Sequence, residues 1–260
     1  MLATMYDPLA RHRAIQSIVT RDTAQGQLRK YYRFRADRWY GGIATADVVG
    51  CGMLCKFCWV SKSILERPDA FGQFLAPEEA AQKLVRVANS RRLAQMRLSG
   101  GEPTIGRTHL LKILSEIQEQ RRFRFILETN GIPLGADPSY CNELAAFGCL
   151  HVRVSLKGSC EDEFEKLTGA NREGFKQQLE ALRNLRNAGV SCHPAVMSSF
   201  STENNMRQLR DRVSQIEQKL ANGLEVEELI GYPRVERQLR KYGLTPRVSH
   251  DPRNIPERLI

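Results

Sequence analysis

The sequence predicts an α/β protein with a mainly parallel sheet, and three observations support this fold class. Short apolar segments alternate with helical patterns about six times along the 260 residues, which is typical of right-handed β-α-β units. Helix start and stop signals stand between the apolar segments, and polar turn motifs follow several of them. No internal repeat or Gly/Ser linker interrupts the alternation. An open doubly wound sheet and part of a barrel both fit this pattern.

Each predicted strand is a short apolar run bounded by turn residues. The first is the segment GGIATADVV, and the fourth alternates polar and apolar residues, as a strand with two different faces does. In chain order, the predicted strands cover residues 41–49, 96–99, 123–128, 150–156, 190–197 and 225–231.

The predicted helices fill the intervals between these strands. Pro77 and the two glutamates after it favour a helix start, because proline suits the first turn and acidic side chains suit the helix dipole. Gly189, after an amphipathic stretch, is a C-terminal cap signal. In chain order, the predicted helices cover residues 77–89, 108–120, 138–147, 175–188, 206–220 and 235–242.

Length and charge limit the class of protein. A chain of 260 residues can bury one substantial core. Its net charge of +10 is concentrated at the ends, since residues 1–50 carry 8 Lys/Arg against 4 Asp/Glu and residues 231–260 carry 7 against 3. Basic ends favour an acidic partner such as RNA. No apolar run approaches the ~18 residues of a membrane span, and no secretory signal is evident, so we expect a cytoplasmic protein without a membrane partner.

Three of the seven cysteines form the pattern C-x-x-x-C-x-x-C directly after the first predicted strand. Cys51, Cys55 and Cys58 can bind three irons of a four-iron, four-sulfur (4Fe–4S) cluster, whereas complete ligation of such a cluster by protein takes four cysteines. One iron would therefore stay open for chemistry.

A structural zinc site is the alternative interpretation of the same cysteines. Closed zinc sites need four ligands, usually as two separated pairs. The nearest candidates for a fourth ligand in the sequence are His12, His109 and Cys141, and all of them are distant.

Polar motifs follow the next predicted strands. Gly100 and Gly101 would let a ligand approach the backbone closely, and the Glu102 carboxylate can accept a hydrogen bond from an ammonium group. An ordinary Gly-Gly turn with a solvated glutamate is the simpler alternative. By alternation, Ser155 and Lys157 share one face at the end of the fourth strand.

The cysteine motif, followed one strand and helix later by Gly-Gly-Glu, resembles the signature of the radical S-adenosylmethionine (radical SAM) superfamily. The resemblance covers roughly residues 40–232 and implies a partial (β/α)6 barrel with its active site at the carboxyl ends of the strands. It implies two cofactors, a 4Fe–4S cluster on the three cysteines and SAM at the open iron.

The same resemblance implies the activity of a SAM-dependent oxidoreductase. A flavodoxin or ferredoxin-type donor would reduce the cluster, SAM would be cleaved to methionine and a 5′-deoxyadenosyl radical, and the radical would remove a hydrogen atom from a substrate. The implied SAM contacts are Phe57, Ser99, Gly100, Gly101, Glu102, Asn130, Ser155 and Lys157. Cys160 and His193 are the candidates for a catalytic role. Cys160 could donate a hydrogen atom, and His193 lies on the fifth predicted strand.

Within the superfamily, the Ser-Gly-Gly-Glu-Pro and Thr-Asn-Gly motifs look most like the activating enzymes that install a glycyl radical on a partner protein, which implies a protein substrate. The Cys-Trp pair formed by Cys58 and Trp59 is instead similar to that of the radical SAM enzymes of tricyclic tRNA-base synthesis. Residues 29–40 also interleave basic and aromatic side chains, as RNA-binding segments do, so modification of RNA is the alternative. The simpler interpretation of residues 29–40 packs the aromatic rings against the barrel and leaves the arginines outside. An iron–sulfur or zinc module without catalysis is the third hypothesis.

We predict three regions along the chain. A basic and aromatic N-terminal extension covers residues 1–40, the radical SAM core covers residues 41–232, and a C-terminal helix and tail cover residues 233–260.

Overall fold

The computed structural model describes residues 5–260. In chain order, the strands are β1 (Thr20–Thr23), β2 (Gly26–Asp37), β3 (Ile43–Val48), β4 (Gln73–Leu75), β5 (Gln95–Gly100), β6 (Arg124–Thr129), β7 (Leu150–Leu156), β8 (Cys192–Met197), β9 (Glu225–Glu227), β10 (Leu229–Ile230) and β11 (Ser249–His250). The α-helices are α1 (Pro8–Val19), α2 (Lys62–Glu66), α3 (Pro77–Arg91), α4 (Arg107–Glu119), α5 (Ile132–Ala136), α6 (Pro138–Leu144), α7 (Glu161–Thr168), α8 (Glu173–Asn187), α9 (Glu203–Ser214), α10 (Gln218–Asn222) and α11 (Pro233–Lys241).

The centre of the main sheet is a run of parallel strands. Strands β3, β5, β6, β7, β8 and β9 lie side by side in chain order, and each pairs in parallel with the next. At least one helix connects each of these strands to the following one, as β-α-β units require. The predicted α/β class, a partial (β/α)6 barrel with mainly parallel strands, is confirmed.

The two faces of these strands differ because side chains alternate along a strand. On β5, Met96 and Leu98 are buried in the hydrophobic core, which also includes residues of α3, α4 and α8. Arg97 and Ser99, at the alternate positions, face a cavity of about 1070 Å³. The carboxyl ends of the parallel strands deliver the polar loops to this cavity, and these loops carry the predicted site.

Strand β2 joins the sheet on the other side of β3. It pairs with β3 antiparallel, with Tyr31 opposite Val48, and also pairs with β1 and β4. Tyr31 packs in the core, as the simpler interpretation of residues 29–40 expects. Arg29 differs from that interpretation because its side chain is buried.

A pocket of backbone carbonyls holds the Arg29 side chain. Its guanidinium donates to three carbonyl oxygens, those of Ile105 at 2.9 Å, Glu102 at 3.3 Å and Val19 at 3.4 Å. Burial lowers the pKa of Arg29 to about 10. Val19 ends α1, and Glu102 and Ile105 lie more than 70 positions away, so the strand pattern alone could not show this partner set.

Several elements differ from their predicted bounds. The predicted helix over residues 206–220 is divided into α9 and α10, and the predicted strand over residues 225–231 is divided into β9 and β10. Strand β10 leaves the main sheet and pairs with β11. Helix α7 was not predicted, although its first turn is acidic and Gly169 ends it in the left-handed conformation at φ +77°.

The predicted division of the chain at residues 40 and 232 stays a prediction, and residues 1–4 of the N-terminal extension lie outside the described residues. None of the helices described in residues 5–260 combines the length and apolar character that crossing a bilayer requires.

Candidate active site

The cysteine loop follows β3, and three distant parts of the chain hold it in place. The backbone N–H of Leu54 donates to the Tyr6 hydroxyl at 2.7 Å, before helix α1. The N–H of Lys56 donates to the carbonyl of Leu167 at 2.8 Å, at the end of α7. The Gln238 amide of α11 donates to the carbonyl of Cys55 at 3.1 Å. The loop is therefore fixed by tertiary contacts as well as by its own turns.

All three cysteines of the loop line the cavity, and no other cysteine of the described chain does. Burial raises the pKa of the Cys51 and Cys58 thiols and raises that of Cys55 to about 12. The positive charge of Lys157 acts in the opposite direction on Cys55 and Cys58. The thiols therefore hold their protons until a metal displaces them.

These residues fit a 4Fe–4S cluster. Within residues 5–260, no three His, Cys, Asp or Glu side chains converge as the ligands of one metal ion would. A cluster instead needs each thiolate to bind a different iron. Three thiols on one loop, at the wall of one cavity, would supply that donor set and would leave one iron without a cysteine ligand.

The Gly-Gly-Glu turn lies against the start of the cysteine loop. The N–H of Gly101 donates to the carbonyl of Val48, and the N–H of Glu102 donates to the carbonyl of Gly50, both at 2.8 Å. A Cβ atom at position 101 would lie 2.2 Å from the Gly50 oxygen. Glycine is needed here because two backbone segments approach closely.

We expect Gly101→Ala to destabilise the fold by about 1–3 kcal/mol, since the added methyl group must displace the backbone of Gly50. The unfolding midpoint in denaturant measures this effect. Gly148→Ala is the matched control, because nothing lies within 4 Å of a Cβ atom at that position, and we expect a change within about 0.5 kcal/mol. Equal midpoints for the two variants would contradict the close approach at Gly101.

The Glu102 carboxylate is buried and held by four donors. Its Oε1 atom accepts from the Thr104 N–H and hydroxyl and from the Thr129 hydroxyl, at 3.1, 2.7 and 2.6 Å. Its Oε2 atom accepts from the Asn130 N–H at 2.8 Å. Each carboxylate oxygen has two lone pairs, and Oε2 accepts only the Asn130 N–H, so Oε2 keeps capacity for one further donor from the cavity.

The structure brings the predicted SAM contacts together at one cavity. Phe57, Ser99, Gly100, Gly101, Glu102, Asn130, Ser155 and Lys157 all line it with the three cysteines. Lys157 donates to the Ser155 hydroxyl at 2.6 Å, and the Phe57 ring centroid lies 6.1 Å from that of Phe200. The individual roles of these residues stay predictions.

The two candidates for a catalytic role lie elsewhere. Cys160 precedes α7 and accepts a contact from the Asn205 amide at 3.7 Å. His193 contacts the His151 ring at 2.6 Å and the Glu225 carboxylate at 2.9 Å. Neither candidate is among the residues that line the cavity, so a catalytic role for either has no support from the geometry.

A set of paired charges inside the barrel was not predicted from the sequence. Arg97 contacts Asp37 and Glu128, each at 2.7 Å. Arg153 contacts Glu225 at 2.7 Å and Glu227 at 2.8 Å. These side chains line the cavity below the strand ends. Charged residues at alternate positions of apolar strands, as in β5 and β7, were the available signal.

These pairs set the electrostatics of the barrel interior. Burial by itself would raise the pKa of Glu128, but the guanidinium groups of Arg97 and Arg153 outweigh it and lower the pKa to about 2. The carboxylate therefore stays ionised, and the interior offers fixed donors and acceptors to a polar ligand.

A partial α/β barrel that presents three thiols of one loop to a single cavity is typical of a cluster-binding protein. Residues 47–213 match the family model described as the Radical SAM superfamily. The chain therefore belongs to the radical SAM superfamily, whose cofactors are a 4Fe–4S cluster and SAM.

Individual relatives show what the chain is similar to. It is 31% identical to the probable GTP 3′,8-cyclase of Thermoplasma volcanium over 121 residues, which cover 46% of this chain and 34% of the cyclase. It is 27% identical to the pyruvate formate-lyase-activating enzyme of Clostridium pasteurianum over 173 residues, which cover 64% of this chain and 67% of that enzyme. The chain thus spans less than half the length of that cyclase.

Among solved structures, the fold is similar to that of Streptococcus suis SuiB bound to S-adenosylmethionine. The TM-score is 0.55 at 16% identity, and the match covers 75% of this chain and 47% of SuiB. This likeness supports the fold.

Proposed function

We propose that this protein is a radical SAM enzyme that reductively cleaves SAM and abstracts a hydrogen atom from a substrate held in the barrel. The observation that carries the proposal is the arrangement of Cys51, Cys55, Cys58 and Glu102, which reach one cavity from two adjoining loops. A bound, reduced cluster would supply the one electron with which SAM is cleaved to methionine and a 5′-deoxyadenosyl radical, the species that would take the hydrogen atom.

The residues of the chain bind and orient the reactants in this proposal. The three cysteines hold three irons, and the free acceptor capacity of Glu102 Oε2 suits the ammonium group of SAM. The positive charge of Lys157, which opposes the burial that raises the pKa of Cys55 and Cys58, would offset the negative charge of the thiolates. The paired charges of Arg97 and Arg153 would hold a polar group of the substrate below SAM.

For the substrate, we retain the activating-enzyme interpretation, in which a protein segment enters the cavity. The pyruvate formate-lyase-activating enzyme supports it, because that relative is matched over 67% of its length. Six other relatives are GTP 3′,8-cyclases, which act on a small molecule, and they are matched over 34–46% of their length. A flavodoxin or ferredoxin-type protein is the electron donor in this proposal.

The test is anaerobic reconstitution of the cluster, followed by dithionite and SAM, with calorimetry for SAM binding and chromatography for 5′-deoxyadenosine. We expect binding and cleavage that both depend on the loaded cluster. A loaded four-iron protein that neither binds nor cleaves SAM would contradict the proposal and would favour a module without catalysis.

A specific surface supports RNA as a second candidate substrate. The exposed Trp59 and Tyr232 line the cavity, and the exposed Tyr242 contacts Lys56 of the cysteine loop and Lys62; we call these three aromatic residues the aromatic rim. The guanidinium of Arg35 lies 5.8 Å from the Trp59 ring centroid, and the Lys62 ammonium lies 4.5 Å from that of Tyr242. Exposed rings beside cations are what single-stranded nucleic acids stack on.

If the aromatic rim binds RNA, replacing both Trp59 and Tyr242 by alanine should weaken binding of a fluorescent single-stranded RNA by at least about fivefold, the loss expected for one stacked base. Fluorescence anisotropy at two salt concentrations measures the affinity and its ionic part. Val248→Ala removes another exposed apolar side chain of the C-terminal segment and serves as the control. Equal affinity of the double variant and the control would exclude the rim as an RNA site.

A further inference from the structure

His12 is a buried histidine outside the residues that match the family model. It lies on helix α1, is 3% exposed, and packs against the cysteine loop at Gly52. A Cβ atom at position 52 would lie 1.8 Å from His12 Nδ1, so the loop accommodates this ring only because residue 52 is glycine. A helix that the superfamily match does not include therefore contacts the residue next to Cys51.

The hydrogen bonds of His12 define which of its nitrogens carries a proton. Nδ1 lies 2.7 Å from the carbonyl oxygen of Pro8. A carbonyl oxygen only accepts, so Nδ1 must be the donor, and in the neutral ring Nε2 is left as an acceptor. Nε2 faces the Asn130 side-chain amide nitrogen at 3.4 Å, which donates to it.

The Asn130 amide is consequently held in one orientation. Its Oδ1 atom accepts from the N–H of Ile132 at 3.0 Å, which prevents the amide from turning over. Its Nδ2 atom has two hydrogens, and its second neighbour is Cys51 Sγ at 3.6 Å. With one hydrogen directed at His12, the other points at the Cys51 sulfur.

We propose that His12 is a positioning residue for the cluster, because it directs an N–H of Asn130 onto the Cys51 sulfur. A hydrogen bond to a cluster thiolate stabilises the added negative charge of the reduced state and so raises the reduction potential. This inference rests on the proposed function, since it takes Cys51 as a ligand of a cluster iron. Its consequence is that helix α1 adjusts how readily the electron donor reduces the cluster.

The experiment is a redox titration of the reconstituted protein, followed by electron paramagnetic resonance. We expect His12→Leu and Asn130→Leu to shift the midpoint potential to more negative values at unchanged iron content. His12→Gln, whose amide oxygen can accept from Asn130, should restore part of the shift. His109→Leu removes another buried histidine, one that contacts Tyr31 and Gln27 and does not line the cavity, and it should leave the potential unchanged.

The outcomes separate this inference from the proposed function. If the His12→Leu variant assembles its full cluster and shows the wild-type reduction potential, the inference is overturned. The proposed function would still stand, because it does not depend on His12. Failure of the wild-type protein to assemble a four-iron cluster would instead overturn the proposed function. If His12→Leu loads poorly, the same titration on His12→Asn, whose side chain is too short to reach Asn130, decides the question, and a wild-type potential there would again overturn the inference.

Discussion

Replacing Cys51, Cys55 or Cys58 by alanine is expected to abolish assembly of the cluster, and with it all cleavage of SAM. In the proposed function each thiolate would bind a different iron, so another cysteine at the cavity would be needed to replace a missing one. In the described chain, the remaining cysteines lie away from the cavity. Removing a hydrogen-bond partner of a metal ligand lowers metal affinity roughly 10- to 100-fold. Removing a ligand itself, as in these variants, should lower the affinity by more.

Iron and sulfide analysis after anaerobic reconstitution, with chromatography for 5′-deoxyadenosine, measures this result. Cys149→Ala and Cys160→Ala are the matched controls, since both thiols are partly exposed and outside the cavity lining, and both variants should load normally. Normal SAM cleavage by a variant that lacks all three loop cysteines would refute the central claim.

The second large effect is expected for Glu102→Gln, which keeps the shape of the side chain and removes its charge. The amide oxygen can still accept from Thr104 and Thr129, and the three cysteines are unchanged, so the cluster should assemble. The amide nitrogen replaces Oε2, so the variant loses the hydrogen bond from the Asn130 N–H and the proposed charge-assisted hydrogen bond from the SAM ammonium group. Such a bond contributes about 1.5–3 kcal/mol, which corresponds to a roughly 10- to 100-fold weaker affinity for SAM.

Calorimetric titration of SAM into the loaded protein measures this loss. Glu163→Gln is the control, because that carboxylate also accepts from several donors, including Ser159 and Ser201, but lies outside the cavity lining. Wild-type SAM affinity in Glu102→Gln would show that the carboxylate only braces the turn.

Much of the fold could be predicted because it follows from local patterns. Strand β7 was predicted with its observed bounds, since its alternation reflects one face on the core and one on the cavity. The loop residues of the site were also predictable, because parallel strands bring their carboxyl ends to one edge. Cys51, Cys55, Cys58 and Glu102 line one cavity, as the resemblance of their motifs to the radical SAM signature implied, while their roles as ligands stay predictions.

The features that escaped prediction depend on contacts between distant residues. The partners of Arg29 are carbonyls of turns up to 76 positions away, and Asn130 meets His12 across 118 positions. No local pattern distinguishes a helix histidine that will pack on a loop from one that will face solvent. The ion pairs of Arg97 and Arg153 needed the strand order to be known first.

The tertiary hydrogen bonds that hold the cysteine loop have a consequence for the biosynthesis of the protein. One of its contacts comes from Gln238, which lies 183 positions after Cys55 and leaves the ribosome long after the cysteines do. The nascent chain therefore carries its three thiols for most of translation without the complete set of contacts that shapes their loop. After folding is complete, iron and sulfide can bind at a preformed site. During translation the loop still lacks part of its contacts, and its thiols are exposed to oxidation.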